Sequence, residues 1–299
     1  MIIGILKNPK SYLPETHAYS EILKKKYKVI VSDDEDYLNS ISNLIIKYPG
    51  FFRKKFKFFY KNKLKKITIH DYASLSTPPF PKIKNLIKCY FSERPNFRIF
   101  NSNFIKKELS FKDNIPYLIR PAGVDKKFFF KGNAKRVTQI VYVGSFRDKL
   151  LNGFEKILKF NLNLIVIGNF SEKFQNKFKS YKNIFFLGYK TQDQIVEILK
   201  VSEYGFNYIP DMYPWNSQAS LKLLEYSAAN LKIISNKTKF ALEFEKKFNS
   251  KFNYIEDINN VNDIINYNYK NGSINSLEWN NIFQQCNFIN TIDSLIDNI

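Results

Sequence analysis

Histidine, cysteine and long apolar runs are what this chain has least of. Two histidines stand in 299 residues, so zinc sites built on several imidazoles fall away. Cys89 and Cys286 are the only cysteines, and neither belongs to a C-x-x-C pair, so they read as reduced structural thiols rather than a disulfide or metal pair. The longest apolar runs, among them 140–143 and 163–167, fall far short of the ~20 residues that a membrane-spanning helix needs. Met1–Lys7 runs straight into a strand-like segment, with no charged stretch leading into a cleavable apolar one, so a cytoplasmic protein is expected. Glycine is sparse at ten residues. Neither G-x-G-x-x-G nor G-x-x-x-x-G-K-[ST] occurs, which removes the dinucleotide and P-loop fingerprints. Acids are also outnumbered, 27 against 47 Lys and Arg.

The resulting net charge of +20 invites a polyanionic partner: nucleic acid, an anionic membrane surface or a phosphorylated substrate. Lys, Asn, Ile, Phe and Tyr are abundant together, as AT-rich coding produces, so clustering says more than the total. Lys47–Lys66 holds nine Lys or Arg, seven Phe or Tyr and no acid. Such a block fits an anionic membrane where lipid-linked acceptors reside, or equally a cationic solvated helix with inward aromatics. A nucleic-acid-binding protein is the rival class. No helix-turn-helix, zinc finger or aromatic RNA-reading segment is present, so no nucleic-acid partner is expected.

With 44% hydrophobic and 17% aromatic residues, the chain can bury two ordinary cores. Short apolar runs alternate with amphipathic stretches, the pattern of βα units and parallel sheets. Strands are predicted at 2–6, 28–31, 67–70, 98–100 and 117–119, then at 139–143, 162–167, 184–187, 204–208, 232–235 and 252–255. Helices are predicted at 15–25, 82–91 and 102–109, with Ser102 or Asn103 as the cap of the last. Four more fall at 149–160, 191–201, 219–229 and 239–248, and residues 277–299 close the chain as a further helix. The polar stretch 130–137 reads as a linker. The expected architecture is α/β, with two Rossmann-like doubly wound domains, residues 1–133 and 134–279, and a C-terminal helix 280–299 returning to the first.

Gly144, Gly168 and Gly188 each directly follow a hydrophobic run, IVYVG, LIVIG and FFLG. Ligands of open parallel sheets sit beyond the carboxyl ends of the strands, where glycine lets backbone approach a phosphate or base. One such glycine is an ordinary tight turn. Three in one domain point to the second domain as the nucleotide binder.

The ordered segments IRPAGVDKKFF (119–129), IVYVGSF (140–146), LIVIGNF (164–170), IFFLGYK (184–190) and SLKLLEYSAANLKIIS (220–235) resemble the family 4 and related GT-B glycosyltransferases. KITIHDY (66–72) and FRIFNSNFIKKEL (97–109) are similar to first-domain segments of that family, and Trp279 opens a last helix as in its members. The resemblance spans nearly the whole chain. It implies transfer of a sugar from a UDP- or GDP-linked donor to a glycan or lipid-linked acceptor, without a metal or other cofactor. The pattern SLKLLEY is closest to divergent bacterial enzymes of surface polysaccharide synthesis.

The resemblance also assigns residues. Glu225 would accept hydrogen bonds from the donor ribose, as a carboxylate can from two hydroxyls at once. Lys222, one turn earlier, would reach the diphosphate, beside the helix start near Ser217, Gln218 and Ser220. Tyr189 and Lys190 after Gly188 would hold the base. Ser145, with Arg147 or Lys149 after Gly144, would lie beside the pyrophosphate and neutralise the leaving group. The family's Glu-x7-Glu is incomplete, because Ser217 stands eight positions before Glu225. A glycine-rich loop after the first strand is missing as well, replaced by NPKSYLPETH. Retention or inversion is therefore left open, and so is a GT-B-shaped chain without activity. If the enzyme inverts, the acceptor needs a general base, and His70, Asp71 and His17 are the candidates in that order. Asp33–Asp36 reads as a solvated loop rather than a D-x-D metal motif.

Overall fold

Runs of apolar residues without polar alternation form strands buried on both faces, and Val, Ile and Phe supply them here. The computed structural model describes residues 1–9, 13–49, 66–130, 136–145 and 150–297. Two compact units divide them: Met1–Gly123 with Leu277–Ile299, and Val124–Ser276. The boundary read at 133/134 lies outside the described residues.

The first unit runs β1 (Ile2–Leu6), α1 (Pro14–Leu23), β2 (Lys28–Ser32), α2 (Glu35–Ile41), β3 (Leu44–Lys47), β4 (Ile67–Tyr72), α3 (Pro81–Phe91), β5 (Phe97–Phe100), α4 (Asn103–Leu109) and β6 (Tyr117–Ile119). Its parallel sheet has the order β2-β1-β3-β4-β5-β6. The second unit runs β7 (Val137–Val143), α5 (Leu151–Leu158), β8 (Asn163–Ile167), α6 (Glu172–Asn176), β9 (Ile184–Phe186), α7 (Gln192–Val201), β10 (Ser202–Asn207), α8 (Leu221–Ala228), β11 (Lys232–Ser235), α9 (Lys239–Phe248), β12 (Asn253–Tyr254) and α10 (Val261–Ile265). Its sheet is ordered β12-β11-β10-β7-β8-β9, the doubly wound order in which the chain reverses direction between its first and fourth strands. The chain ends with α11 (Trp279–Gln285) and α12 (Phe288–Asp297), which belong to the first unit.

Three local departures from the sequence reading have clear causes. Asp33–Asp36 is not a loop throughout: the Asp34 carboxylate accepts the Tyr37 N–H at 3.0 Å and caps α2, with Glu35 and Asp36 in its first turn. The strand β3 was hidden at the head of the basic block, yet all four of its residues are buried. The single helix expected at 277–299 breaks at Asn287, whose φ of 52° is a left-handed conformation that Asn tolerates. Ser102 caps α4 as expected, accepting the Ile105 N–H at 3.2 Å.

The first unit closes around a buried ion cluster. Arg120, just beyond β6, has no exposed surface, and its Nη2 donates to Asp71 Oδ2 of β4 at 3.1 Å. Glu15 of α1 lies 3.8 Å away, and Tyr19 of the same helix donates its hydroxyl to Asp71 at 2.8 Å. The Trp279 ring stands 5.2 Å from the guanidinium and packs where a Cβ on Gly123 would sit, at 2.5 Å. Burial pushes the Glu15 and Asp71 carboxyls up, against the pull of Arg120. One cluster thus ties β4, β6, α1 and α11 together.

Removing one partner of such a pair strands the other charge. Arg120→Met should lower stability by about 3–5 kcal/mol, read as a shift of the urea midpoint. The double variant Arg120→Met, Asp71→Leu should recover part of that loss. A single variant as stable as the wild type would show that the cluster does not hold the unit together.

Candidate functional site

In an open parallel sheet the backbone amides and helix starts converge at the carboxyl ends of the strands where the winding reverses. In the second unit that point lies between β7 and β10. The three glycines stand in a row along this edge. Gly144 donates its N–H to the Ile167 carbonyl at 3.0 Å, and Gly168 donates to the Gly188 carbonyl at 2.9 Å. A Cβ on Gly168, at φ +137°, would fall 1.9 Å from the Gly144 carbonyl oxygen, so only glycine fits. Around Gly188, at φ +67°, a Cβ would meet nothing within 4 Å, so the edge is open there. Tyr189 next to it is 72% exposed, Lys190 is half-buried and Ser145 is exposed.

Lys222 comes to the same edge from the first turn of α8. Its ammonium donates to the Tyr208 carbonyl at 3.0 Å and to Tyr142 Oη at 3.2 Å, and sits 4.3 Å over the Tyr142 ring. That same Tyr142 hydroxyl would lie 3.0 Å from a Cβ on Gly144, so Lys222 and Gly144 flank one tyrosine. Ser220 caps α8, accepting the Leu223 N–H and donating its hydroxyl to Asn207 Oδ1 at 2.7 Å. Asn207 in turn donates to Ser235 Oγ at 2.8 Å, which locks the ends of β10 and β11 under the helix start. The half-buried Ser217 and Gln218 lie just before it, with the Ser217 hydroxyl donating to Asn216 Oδ1 at 3.2 Å.

Glu225 lies one turn along α8, opposite the turn Lys126–Phe128. Burial raises its carboxyl to about 8; Lys127 acts against the shift and Asp125 with it. At pH 7 the side chain is therefore mostly protonated in the unliganded protein. Tyr226 beside it turns inward, and its hydroxyl accepts the Val143 N–H at 2.8 Å, at the end of β7. The Tyr226 ring fills the space above Gly205, where a Cβ would sit 2.6 Å from it. The sequence reading missed Tyr142, Tyr208, Asn207 and Tyr226. The one signal it offered was that β10 and β11 end in the polar Asn207 and Ser235 instead of continuing apolar. Arg147 and Lys149 lie outside the described residues.

In the first unit the winding reverses between β1 and β3. A cavity of about 280 Å³ opens between the end of β1, α1 and β2, lined by Lys7, Asn8, Thr16, His17 and Ser20 among others. His17 is exposed there. His70 is fully buried in β4, with Nδ1 3.4 Å from Tyr72 Oη. Burial, then the cations Lys47 and Arg98, lower its pKa to about 3, so it stays neutral at physiological pH. Asp71 is 1% exposed and held by Arg120 and Tyr19. The three candidate bases are not gathered at one point: His17 stands on α1, facing solvent, while His70 and Asp71 point into the core.

Lys47–Lys66 is described only at its ends. Lys47 is 2% exposed and paired with Glu35 at 2.9 Å and Glu93 at 2.8 Å. Lys66 donates to Asn39. Residues 50–65 lie outside the described residues. A second cavity of about 430 Å³, lined by Arg136, Glu203, Asn230, Lys232, Tyr269 and Asn271, lies at the amino edge of the second sheet, away from the glycines. No helix among the described residues is long and apolar enough to cross a membrane.

This arrangement, two doubly wound units with a glycine-lined carboxyl edge in the second, is the GT-B fold. No family model matches the chain, and no curated protein matches it in sequence. Solved structures do. AviGT4, a glycosyltransferase involved in avilamycin A biosynthesis, superposes with a TM-score of 0.66 at 8% identity, over 100% of this chain and 98% of that one. A Listeria monocytogenes chain described as a UDP-N-acetylglucosamine 2-epimerase gives 0.57 at 11% identity, over 100% and 97%. A mutant of the T4 phage protein BGT in complex with UDP-glucose gives 0.50 at 18% identity, over 80% and 81%.

Two measurements check the local chemistry. Tyr226→Phe leaves the Val143 N–H without its acceptor and should cost about 1–3 kcal/mol, read in a urea titration; no loss would mean the bond contributes nothing. Glu225 binds a proton in the folded state that the unfolded chain has released above its ordinary pKa of 4.5, so stability should fall as pH rises toward 8. Glu225→Gln should remove up to about 2 kcal/mol of the loss between pH 5 and pH 7. Parallel melting curves of the two proteins over that range would refute the raised pKa.

Proposed function

We propose that this chain is a glycosyltransferase that moves a sugar from a UDP- or GDP-linked donor to a glycan or lipid-linked acceptor, in the synthesis of a bacterial surface polysaccharide. The observation that carries the reading is the meeting of Gly144, Lys222 and the α8 start at the winding reversal of the second sheet. Its fold neighbours AviGT4 and the BGT–UDP-glucose complex support that reading. The diphosphate would lie against the Gly144 backbone, Lys222 and the first-turn amides of α8, with Arg147 and Lys149 from the following loop. Lys222 and the first-turn amides of α8 would be set in place before reaction, where charge develops on the leaving nucleotide. Glu225 would take the ribose hydroxyls, and the open edge at Gly188, with Tyr189 and Lys190, would take the base.

On the acceptor side, His17 is the best-placed of the three candidate bases. It alone is exposed and lines a cavity, whereas Asp71 is held by Arg120 and His70 is fully buried and made a weak base by burial and two cations. His17→Ala should then lower kcat far more than donor affinity if the enzyme inverts. The Listeria neighbour raises a second reading, epimerisation of the donor sugar without an acceptor. Following the donor sugar in the absence of acceptor separates the two.

The decisive test is thermal shift against UDP-, GDP-, ADP- and CMP-sugars. A ligand at a hundred times its dissociation constant stabilises by about 2.7 kcal/mol. One nucleotide should stabilise the wild type and fail on Glu225→Ala. Ribose hydroxyls that donate to the Glu225 carboxylate favour its charged form, so donor affinity should rise from pH 6 to pH 8, with proton release on binding. Stabilisation by none of the four, or an affinity flat over that range, would remove the donor site or this role for Glu225.

A further inference from the structure

We propose that α3, with the Phe80 before it, is a docking face for an anionic lipid surface. Amphipathic helices ordinarily turn their apolar stripe to the core, but this one is inverted. Its buried residue is Asn85, 4% exposed, whose side-chain oxygen accepts the Ser76 N–H at 2.8 Å. On the same side Cys89 Sγ donates to the Leu109 carbonyl at 2.9 Å. The outward side carries Ile83, Leu86, Ile87, Tyr90 and Phe91, at 58%, 59%, 52%, 68% and 64% exposure, with Phe80 at 70%. Six of the sixteen exposed large apolar residues among those described fall within these twelve positions. At 3.6 residues per turn, the five on the helix share an arc of about 140°. The backbone of Phe80, at φ 57°, is left-handed, a conformation that a bulky side chain adopts only when its surroundings hold it there.

The charge around this stripe selects the occupant. Pro81–Phe91 contains Lys82, Lys84 and Lys88 and no acid. Lys82 and Lys84 fall on opposite flanks of the apolar arc, the layout of a helix lying in the headgroup region with its lysines at the phosphates. Glu108, the acid on neighbouring α4, stands beside Lys106 and Lys107, so it does not reverse the local sign. Pairing with a second copy would bring six α3 lysines together with no α3 acid to offset them. An anionic bilayer meets both the apolar and the cationic demand. This inference does not rest on the transferase reading, and its test needs no nucleotide.

The full chain is tested for binding to vesicles of phosphatidylcholine alone and of phosphatidylcholine mixed with phosphatidylglycerol. The wild type should bind the anionic vesicles and not the neutral ones. The triple variant Ile83→Ser, Leu86→Ser, Tyr90→Ser keeps the net charge and alters exposed positions only. It should melt as the wild type does and lose affinity for the anionic vesicles by about tenfold or more. The emission that Ile87→Trp adds to that of the native Trp215 and Trp279, taken as the difference from wild type, should be solvated in buffer and shift to the blue on adding anionic vesicles. Equal affinity of wild type and triple variant would make the binding a general effect of net charge and overturn the proposal. So would absence of binding, a reporter already blue-shifted in buffer, or a dimer in sedimentation that the triple variant abolishes without any vesicle binding.

Discussion

A guanidinium with no surface in water is the constraint around which the first unit is organised. Desolvating Arg120 is costly, and only several partners in good geometry offset it. Asp71, Tyr19, Glu15 and Trp279 supply them from β4, α1 and α11, elements far apart in sequence. Their positions are therefore coupled. The returning C-terminal helix is anchored by the face of Trp279 lying flat on Gly123, where any side chain would collide with it. Burial raises both carboxyls while Arg120 pulls them down, and the 3.1 Å contact makes Asp71 the counter-ion of Arg120.

The second unit solves a different problem with different groups. At one edge of its sheet side chains are replaced by hydrogens at Gly144, Gly168 and Gly188, which leaves the backbone there open to approach. Such an edge is soft unless something behind it is stiff. The Phe154, Phe170, Phe174, Phe178 and Phe206 rings pack behind it as one buried cluster. Tyr226 adds a bond to the last N–H of β7, immediately before Gly144. Position and rigidity of the glycine edge thus come from residues that never reach it, in the manner that binding sites on a fixed scaffold require.

Most of the fold was legible because its carriers are local. Apolar runs such as 140–143 and 164–167 and the cap at Ser102 act within a few residues, and the strands appear where they place them. What escaped depended on distant partners. Nothing around Lys47 foretells that Glu35 and Glu93 close on it, so the short run Leu44–Lys47 at the head of a cationic block was not read as a strand. The role of Asp71 depends on Arg120, 49 residues later, and the neutral state of His70 on its burial first and then on Lys47 and Arg98 from the strands beside it. The glycine edge of the second sheet was legible in the runs that end at Gly144, Gly168 and Gly188. The tyrosines that fix it were not, since a Tyr in an apolar strand looks the same whether its hydroxyl is used or not.

A count of cations is a poor guide to partners because it does not ask what each one already holds. Lys47 is buried between two carboxylates, Lys222 lies on a tyrosine face at the sheet edge, and Arg136 donates to the carbonyls that end α8. Lys232 pairs with Glu203 at 2.6 Å, and Lys237 with Asp257 at 2.7 Å. Lys47, Lys232 and Lys237 are neutralised locally and offer no net charge to a polyanion at long range. A sequence-independent phosphate binder needs the reverse: many solvated cations along one track, whose counter-ions are released together. On α3 the lysines instead border apolar side chains held in water, and that combination has no use for a hydrophilic polyanion. The apolar surface sets the class of partner, and the charge selects within it.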